Sequence, residues 1–428
     1  MEYLLFAAYL IFFTWVVTRV KFFIRSGLTD SQLIIIFLLK VMAGIFYGWI
    51  GLYYSNIAQM VDTWSFHYSG IHEYHLLQTN PHEYFANLFY NPYDDGFLKF
   101  FSSDNSFWND LKGNFFIKIL SIFNLVSFGN YYINVILYSF FSLFGPVAIY
   151  RVMMDVFPGK KIQVILASFL LPSFIYWTSG IHKDGLLFTC IALVVYHVYF
   201  GLKENSFRLP RILAITGALV LILILRNFLL MLFVPAVITW IIAYRKPKKA
   251  LAVFVIAYLL LAVLFFTARY IHPNFDFPQA VVNKQTEFMK LAGGSAVPMK
   301  KLHPTVTSFV ANIPQAFNLS VLRPYPSDVK HLLSLAAAVE INFLLLLFLV
   351  FLFWRSNGIR SKSFVYFCLF FSFSFLLSIG YTVNFLGAIV RYRSLVFPFL
   401  FIPMFCEIDW KRVYGFLLNN IKNKNNIE

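Results

Sequence analysis

Long apolar runs, separated by short polar connections, follow one another from the first residues of the chain to about residue 408. A membrane-spanning helix needs about 20 mostly apolar residues, and this criterion predicts about eleven spanning helices. The pattern therefore predicts an all-α polytopic transmembrane bundle, with residues 1–428 as a single transmembrane domain. The predicted spans are roughly 3–24, 32–54, 131–152, 162–178, 185–202, 209–225, 227–244, 250–268, 331–354, 363–381 and 394–408.

Lysine and arginine occur in clusters on alternate connections between these runs. Cytoplasmic loops of membrane proteins carry an excess of these two residues, so the alternation predicts that all the clusters face the cytoplasm. The N-terminus then lies outside and the C-terminus inside a bacterial inner membrane. The clusters are Arg19/Lys21/Arg25, Arg151/Lys160/Lys161, Lys203/Arg208/Arg211, Arg245/Lys246/Lys248/Lys249, Arg355/Arg360/Lys362 and Lys411/Arg412/Lys422/Lys424.

Composition agrees with a membrane bundle and excludes a water-soluble globule. Hydrophobic residues make up 60% of the chain and charged residues only 13%, whereas soluble domains carry about 25% charged residues. A net charge of +16 would suggest nucleic-acid binding in a soluble protein, but here the positive charges lie where topology requires them, and we expect no nucleic-acid partner. Cys190, Cys368 and Cys406 all lie in apolar runs, which favours buried thiols over a disulfide or a metal site.

Two long loops are predicted on the extracytoplasmic face, at 55–130 and 269–330. The first contains an amphipathic stretch, Phe115–Phe128, which is typical of a helix that lies along a membrane surface. The second is divided by prolines into short elements. These prolines are Pro273, Pro278, Pro298, Pro304, Pro314, Pro324 and Pro326.

Asp62 and the histidines that follow it are the first candidates for chemistry. A carboxylate at a membrane boundary can act as a general base or a metal ligand, or it can simply cap a helix. His67 lies five residues further on, and His72, His75 and His82 follow with Glu73 in the same loop. Their spacing matches no standard zinc motif, so solvated or hydrogen-bonded loop histidines are favoured and no metal site is assigned.

Charged residues in the other external connections form the second group of candidates. Lys183 and Asp184 lie in a Gly-containing turn at a helix N-terminus, where they form either an anion site or a pair with each other. Arg226 separates two apolar runs, and a charge at membrane depth indicates function unless the side chain snorkels to the surface. Arg323 and Tyr325 lie just before the ninth predicted span.

Arg391-Tyr392-Arg393 occupies the last external turn. Two arginines that flank an aromatic residue can hold a phosphate through bidentate hydrogen bonds. The positive-inside rule disfavours arginines on this face unless they have a role there.

The topology brings these residues to one face of the membrane. An acid among several cations suits a lipid-linked phosphate donor, because the cations hold the phosphate or pyrophosphate leaving group. The carboxylate then deprotonates an acceptor hydroxyl. The converging residues are Asp62, Lys183, Arg226, Arg323, Arg391 and Arg393.

Several short motifs, in a fixed order between about residues 55 and 400, resemble a known family. The chain is similar to bacterial membrane glycosyltransferases of the GT-C superfamily, especially those related to protein mannosyltransferases and lipopolysaccharide-modifying enzymes. The motifs are Asp62 to His67, Phe128-Gly129-Asn130, the segment 171–184, and Asn384 to Gly387 followed by Arg391-Tyr392-Arg393 and Pro398.

The resemblance implies a GT-C-like fold and an inverting transfer from an undecaprenyl-phosphate-linked sugar. The acceptor would be a glycan, a lipid or a protein; no cofactor is required, and a divalent metal is compatible with the reaction. Many relatives have a second acid, for which Glu73 and Asp184 are the candidates here. The implied catalytic residues are Asp62 and His67, and the implied substrate-binding residues are Lys183, Asp184, Arg226, Arg323, Tyr325, Arg391, Tyr392 and Arg393.

Three alternatives remain open at this stage. Polysaccharide polymerases share the same features and act on the same membrane face. A lipid or oligosaccharide transporter should show inverted repeats and charges at the midplane, and the sequence has no repeat. A structural subunit would pair its external polar residues among themselves.

Overall fold

The computed structural model describes residues 2–54, 62–94, 96–97, 100, 106–356 and 361–416. Some predictions fall outside these residues. They concern positions 55–61, 95, 98–99 and 101–105 of the first long loop, Arg360, and the tail residues Lys422 and Lys424.

Helices build the described part of the chain, and no strand occurs in it, which confirms the all-α prediction. Short 3-10 and π-helical turns connect some of the helices. In chain order the α-helices are α1 (Glu2–Val17), α2 (Lys21–Ile24), α3 (Asp30–Tyr53), α4 (Asp62–Thr79), α5 (Pro81–Ala86), α6 (Phe107–Ser127), α7 (Tyr131–Val156), α8 (Lys161–Phe169), α9 (Pro172–Ser179), α10 (Lys183–Lys203), α11 (Leu209–Tyr244), α12 (Ala250–Thr267), α13 (Phe277–Lys290), α14 (Val306–Phe317), α15 (Leu332–Phe353), α16 (Lys362–Thr382), α17 (Leu386–Ser394) and α18 (Phe397–Glu407).

Seven helices in the described residues are long and apolar enough to cross a membrane. Two further pairs, α8 with α9 and α17 with α18, bend by 50° and 63° at short breaks and raise the number to nine if each pair is one crossing. The apolar helix α1 is shorter, with 16 residues. These helices confirm a multi-pass membrane protein.

Side-chain caps and a left-handed turn determine where the helices around the site begin and end. Thr29 and Gln32 form a capping box at the start of α3, which satisfies two backbone N–H groups that the helix leaves free. Phe128, with φ 53°, ends α6, and the Asn130 side chain accepts two backbone N–H groups at the start of α7. The Phe128-Gly129-Asn130 step therefore joins a loop helix to a spanning helix.

The 36-residue helix α11 has a backbone break at Arg226, where φ is −160° and ψ is 80°. Arg211, near its start, donates to a carbonyl near the C-terminal end of α10, and Trp240, near its end, stacks on Tyr199 of the same region. Arg226 instead contacts Asp184, at the N-terminal end of α10. A straight helix of this length would extend about 54 Å, so α11 must reverse direction at Arg226.

Aromatic side chains fill the core between the second half of α11 and α16. Phe228 stacks on Phe375 with ring centroids 6.5 Å apart, and Trp240 lies 5.2 Å from Phe364. The pairing order shows that the two helices run antiparallel. Interlocked aromatic rings of this kind contribute contact energy beyond the area they bury.

The described members of the predicted basic clusters meet at one end of the bundle. Lys161 donates to the Gly27 carbonyl at 3.0 Å, Lys203 pairs with Asp155 at 2.6 Å, and Arg355 pairs with the last residue of α18 at 3.1 Å. We call this end the basic end. The opposite end, where α10 begins at Lys183, is called the site end.

Both long loops contain helices that are fixed to the bundle. In the first, the Trp64 indole of α4 donates to the Gly48 carbonyl of α3 at 2.8 Å, and Lys118 of α6 pairs with Glu73 of α4 at 2.5 Å. The predicted amphipathic stretch lies in α6 except for its last residue, Phe128, which follows the helix. In the second, Gln285 of α13 donates to the Tyr381 carbonyl of α16 at 3.0 Å and accepts the Leu302 N–H at 2.8 Å. The second loop is therefore held against the site end.

Candidate functional site

Two arginines contact a buried carboxylate at the start of α10. Asp184 is fully buried. Arg391 of α17 donates from Nε to its Oδ2 at 2.6 Å, and Arg226, at the break in α11, places Nη2 3.2 Å from Oδ1. A buried charge is stable only when it is paired and hydrogen-bonded, so this contact fixes α10, α11 and α17 relative to one another.

His182 connects this carboxylate to Arg391. Its Nδ1 lies 3.0 Å from Asp184 Oδ2, and its Nε2 lies 2.8 Å from Arg391 Nη2. A guanidinium only donates and a carboxylate only accepts, so the contacts indicate a neutral imidazole with its proton on Nδ1. Burial, with a smaller contribution from Arg391, lowers the pKa of His182 to about 4, and Asp184 opposes the shift.

Asp62, the first residue of α4, is a solvent-exposed member of the same group. Its Oδ2 lies 3.5 Å from Arg391 Nη1 and 3.8 Å from His182 Nε2. The Asp62 side chain is 61% exposed, whereas Asp184 is fully buried. The site therefore contains one structural carboxylate and one carboxylate that a substrate can reach.

Aromatic rings surround the cations of the site. The Arg226 guanidinium lies 4.3 Å from the ring centroid of Tyr392, and Arg391 lies 5.8 Å from that of Trp177. The Lys183 ammonium lies 5.1 Å from the ring centroid of Phe66. Such contacts hold a cation in place without neutralising its charge.

The structure thus brings together six of the residues that the sequence predicted, and adds one that it did not. The added residue is His182, which belongs to the polar turn between α9 and α10 and was not singled out. Its position in that turn was the available signal. The six are Asp62, Lys183, Asp184, Arg226, Arg391 and Tyr392.

His67 does not belong to this group, because its side chain packs between α4 and α7. Its side chain is 3% exposed, and its ring lies 5.2 Å from that of Tyr131. Burial lowers the pKa of His67 to about 4. In the described part of the chain no hydrogen bond or ion pair joins it to Asp62.

Arg323, Tyr325 and Arg393 form a second group that ties α17 to the second loop. Arg393 is fully buried and donates from Nη1 to the backbone carbonyls of Ser320, at 3.4 Å, and of Arg323. The Arg323 guanidinium lies 5.4 Å from the Tyr325 ring and 3.7 Å from Asp328. None of the three has a hydrogen bond or ion pair to Asp62 or Asp184 among the described residues.

The described residues contain no group of three or more histidine, cysteine or acidic side chains arranged to hold a metal ion. The charged side chains that are present, Asp62 and its neighbouring cations, offer acid–base and electrostatic chemistry. Asp62 can accept a proton from a bound hydroxyl, and the neighbouring cations can stabilise a developing negative charge.

Comparisons with protein-family models, with curated proteins and with solved structures gave no match.

Proposed function

We propose that the protein is a GT-C-like membrane glycosyltransferase. It moves a sugar from a polyprenyl-phosphate-linked donor to a glycan, lipid or protein of the cell envelope. The observation that carries this proposal is the accessible carboxylate of Asp62, 3.5 Å from Arg391 at the edge of a buried Asp–Arg–His network.

The reaction uses the two kinds of charge in the site. Asp62 removes the proton from an acceptor hydroxyl while that oxygen attacks the anomeric carbon of the donor sugar. The bond between the anomeric carbon and the phosphate oxygen breaks, and the phosphate leaves with the electron pair. The cations of the site stabilise the negative charge on this leaving group. The displacement inverts the anomeric centre.

We propose eleven membrane crossings for this fold. The two bent helix pairs each count as one crossing, α1 is a short crossing, and the reversal at Arg226 divides α11 into two. An odd number puts the chain ends on opposite sides. The positive-inside rule assigns the basic end to the cytoplasm of a bacterial inner membrane, so the N-terminus and the site end face outward.

An Asp62→Asn variant tests the proposed function. Asp94→Asn is the matched control, because Asp94 is an exposed carboxylate of the same loop. Surface glycans are profiled in cells that carry each variant, and the membrane level of the protein is measured in parallel. We expect Asp62→Asn to remove one glycan or one sugar at normal protein level, and Asp94→Asn to leave the profile unchanged.

Two other outcomes would contradict the proposal. A change in the chain length of a polysaccharide, with its composition intact, would identify a polymerase. An unchanged profile for Asp62→Asn would remove Asp62 as the base and favour a transporter of lipid-linked sugars or a structural subunit.

A further inference from the structure

Arg226 and Arg391 are already occupied by the protein's own carboxylates. Both contact Asp184, at 3.2 Å and 2.6 Å, and Arg391 also lies 3.5 Å from Asp62. A ligand phosphate would have to compete with these pairs. Lysines of the surrounding elements are therefore the candidates for binding a ligand phosphate.

Two lysines lie on different helices that meet at one aromatic contact. The Lys183 ammonium lies 5.1 Å from the Phe66 ring centroid, and Phe66 packs edge-on against Phe116 at 5.2 Å. Lys112 precedes Phe116 by four residues on α6, so both side chains project from the same face of that helix. Lys183 therefore contacts one ring of the Phe66–Phe116 pair, and Lys112 lies on the helix face that carries the other.

The surroundings of Lys112 carry an excess of positive charge. Burial, with smaller contributions from Lys284, Lys183 and Arg226, lowers the pKa of Lys112 to about 8, and Glu287 opposes the shift. Lys284 belongs to α13, so the second long loop contributes to this region. Among the described residues, neither Lys112 nor Lys183 forms a hydrogen bond or an ion pair. Cations that outnumber the carboxylates around them, as here around Lys112, favour a bound anion.

We propose that Lys112 and Lys183 bind the phosphate of the lipid-linked donor. The inference rests on the proposed function, and it assigns the phosphate to two lysines, whereas the sequence pattern had assigned it mainly to the arginines. Arg391 and Arg226 then act as positioning residues, which hold Asp184, His182 and Asp62 in place. The first loop contributes to the site both the base, from α4, and a phosphate ligand, from α6.

Binding of a short prenyl phosphate to the purified full-length protein tests this assignment. Farnesyl phosphate is the probe, in nanodiscs of phosphatidylcholine, and farnesol serves as the uncharged analogue. We expect Lys112→Gln and Lys183→Gln each to weaken farnesyl phosphate binding at least about tenfold, since a hydrogen bond to a charged group is lost. Lys290→Gln is the matched control, because Lys290 is an exposed lysine of α13 and its loss changes the net charge equally.

Three results would overturn the assignment. The first is unchanged affinity in both glutamine variants, and the second is equal binding of farnesol. The third is a lysine effect that occurs only in nanodiscs with phosphatidylglycerol, because the anion would then be a bilayer headgroup. If a glutamine variant does not fold, Lys112→Arg and Lys183→Arg keep the charge and are expected to bind within a few-fold of the parent.

The binding assay separates this inference from the proposed function. Loss of farnesyl phosphate binding in the lysine variants, with an unchanged glycan profile in Asp62→Asn, would support the phosphate site and contradict the transferase. Normal binding in the lysine variants, with a lost glycan in Asp62→Asn, would support the transferase and contradict the lysine site.

Discussion

Arg391 donates from Nε to Oδ2 of Asp184 at 2.6 Å, across 207 positions of the sequence. Asp184 has no exposed surface, and the Arg391 side chain is 17% exposed. Because charges in such surroundings lose most of their hydration, they contribute stability only while they remain paired. The contact connects the start of α10 to the bent pair of α17 and α18, and it holds Arg391 beside Asp62.

We expect Asp184→Asn to destabilise the protein more than Arg391→Gln does. The first change leaves Arg226 and Arg391 facing a neutral amide, and removing one partner of a buried pair costs about 3–5 kcal/mol. The second change leaves Asp184 paired with Arg226 at 3.2 Å, so a smaller loss is expected. Thermal unfolding of both variants in one detergent compares them.

The double variant Asp184→Asn/Arg391→Gln is the control for this prediction. If the two side chains act as a pair, its loss of stability is smaller than the sum of the two single losses. Additive losses would contradict the pairing. A larger loss for Arg391→Gln than for Asp184→Asn would mean that Arg226 does not support the carboxylate.

Part of this site could be predicted because charges that interrupt apolar runs are visible in the sequence. Arg226 has no polar neighbour except Asn227, and Lys183 and Asp184 lie between two apolar segments. Alternation of the basic clusters then puts such residues on one face. Neither step requires knowledge of side-chain packing.

Other features depend on packing that the sequence does not reveal. The segment with Arg391 and Arg393 was predicted as a turn, whereas the structure has the helix α17 there. Residues two apart on a helix are rotated by about 200°, so Arg391 faces Asp184 while Arg393 faces the backbone of the second loop. The helix α6, which carries Lys112, packs beside α4 and α11, and this packing is not visible in the sequence.

Gly180 belongs to the turn that carries His182, and Tyr47 of α3 packs directly against it. A Cβ atom at this position would lie 2.2 Å from Cδ1 of Tyr47, a fully packed side chain. We expect Gly180→Ala to lower the free energy of unfolding by about 1–3 kcal/mol, because the ring or the turn must move. Displacement of His182 should also reduce the activity that depends on Asp62.

Gly217→Ala is the matched control for this change, since a Cβ at Gly217 meets no atom within 4 Å. Thermal unfolding and glycan profiling are measured for both variants. Equal stability of the two proteins would contradict the close packing of Gly180 on Tyr47. Reduced stability with full activity would show that the displacement does not extend to the site.

Accessibility of introduced cysteines tests the proposed topology. The native residues Cys190, Cys368 and Cys406 are buried, so they should not react with a membrane-impermeant maleimide. Lys246 lies at the basic end and Lys290 at the site end, and both are exposed. In spheroplasts we expect Lys290→Cys to be labelled and Lys246→Cys to react only after the membrane is permeabilised. Labelling of both in intact spheroplasts, or of Lys246→Cys alone, would contradict the proposed orientation.

Burial of His67 makes the stability of the protein sensitive to acid. The pKa of His67 is about 4 in the folded protein, whereas the unfolded chain takes up this proton near pH 6.5. Between these values the unfolded state binds more protons, so stability falls as the pH falls from about 6.5 towards 4, by up to about 3 kcal/mol for this residue. Thermal unfolding in detergent at several pH values measures the loss.

We expect His67→Gln to reduce the pH dependence without abolishing it, because the pKa of His182 is lowered in the same direction. His72→Gln is the control, since His72 is exposed, and the same reduction in that variant would show that burial of His67 is not the cause.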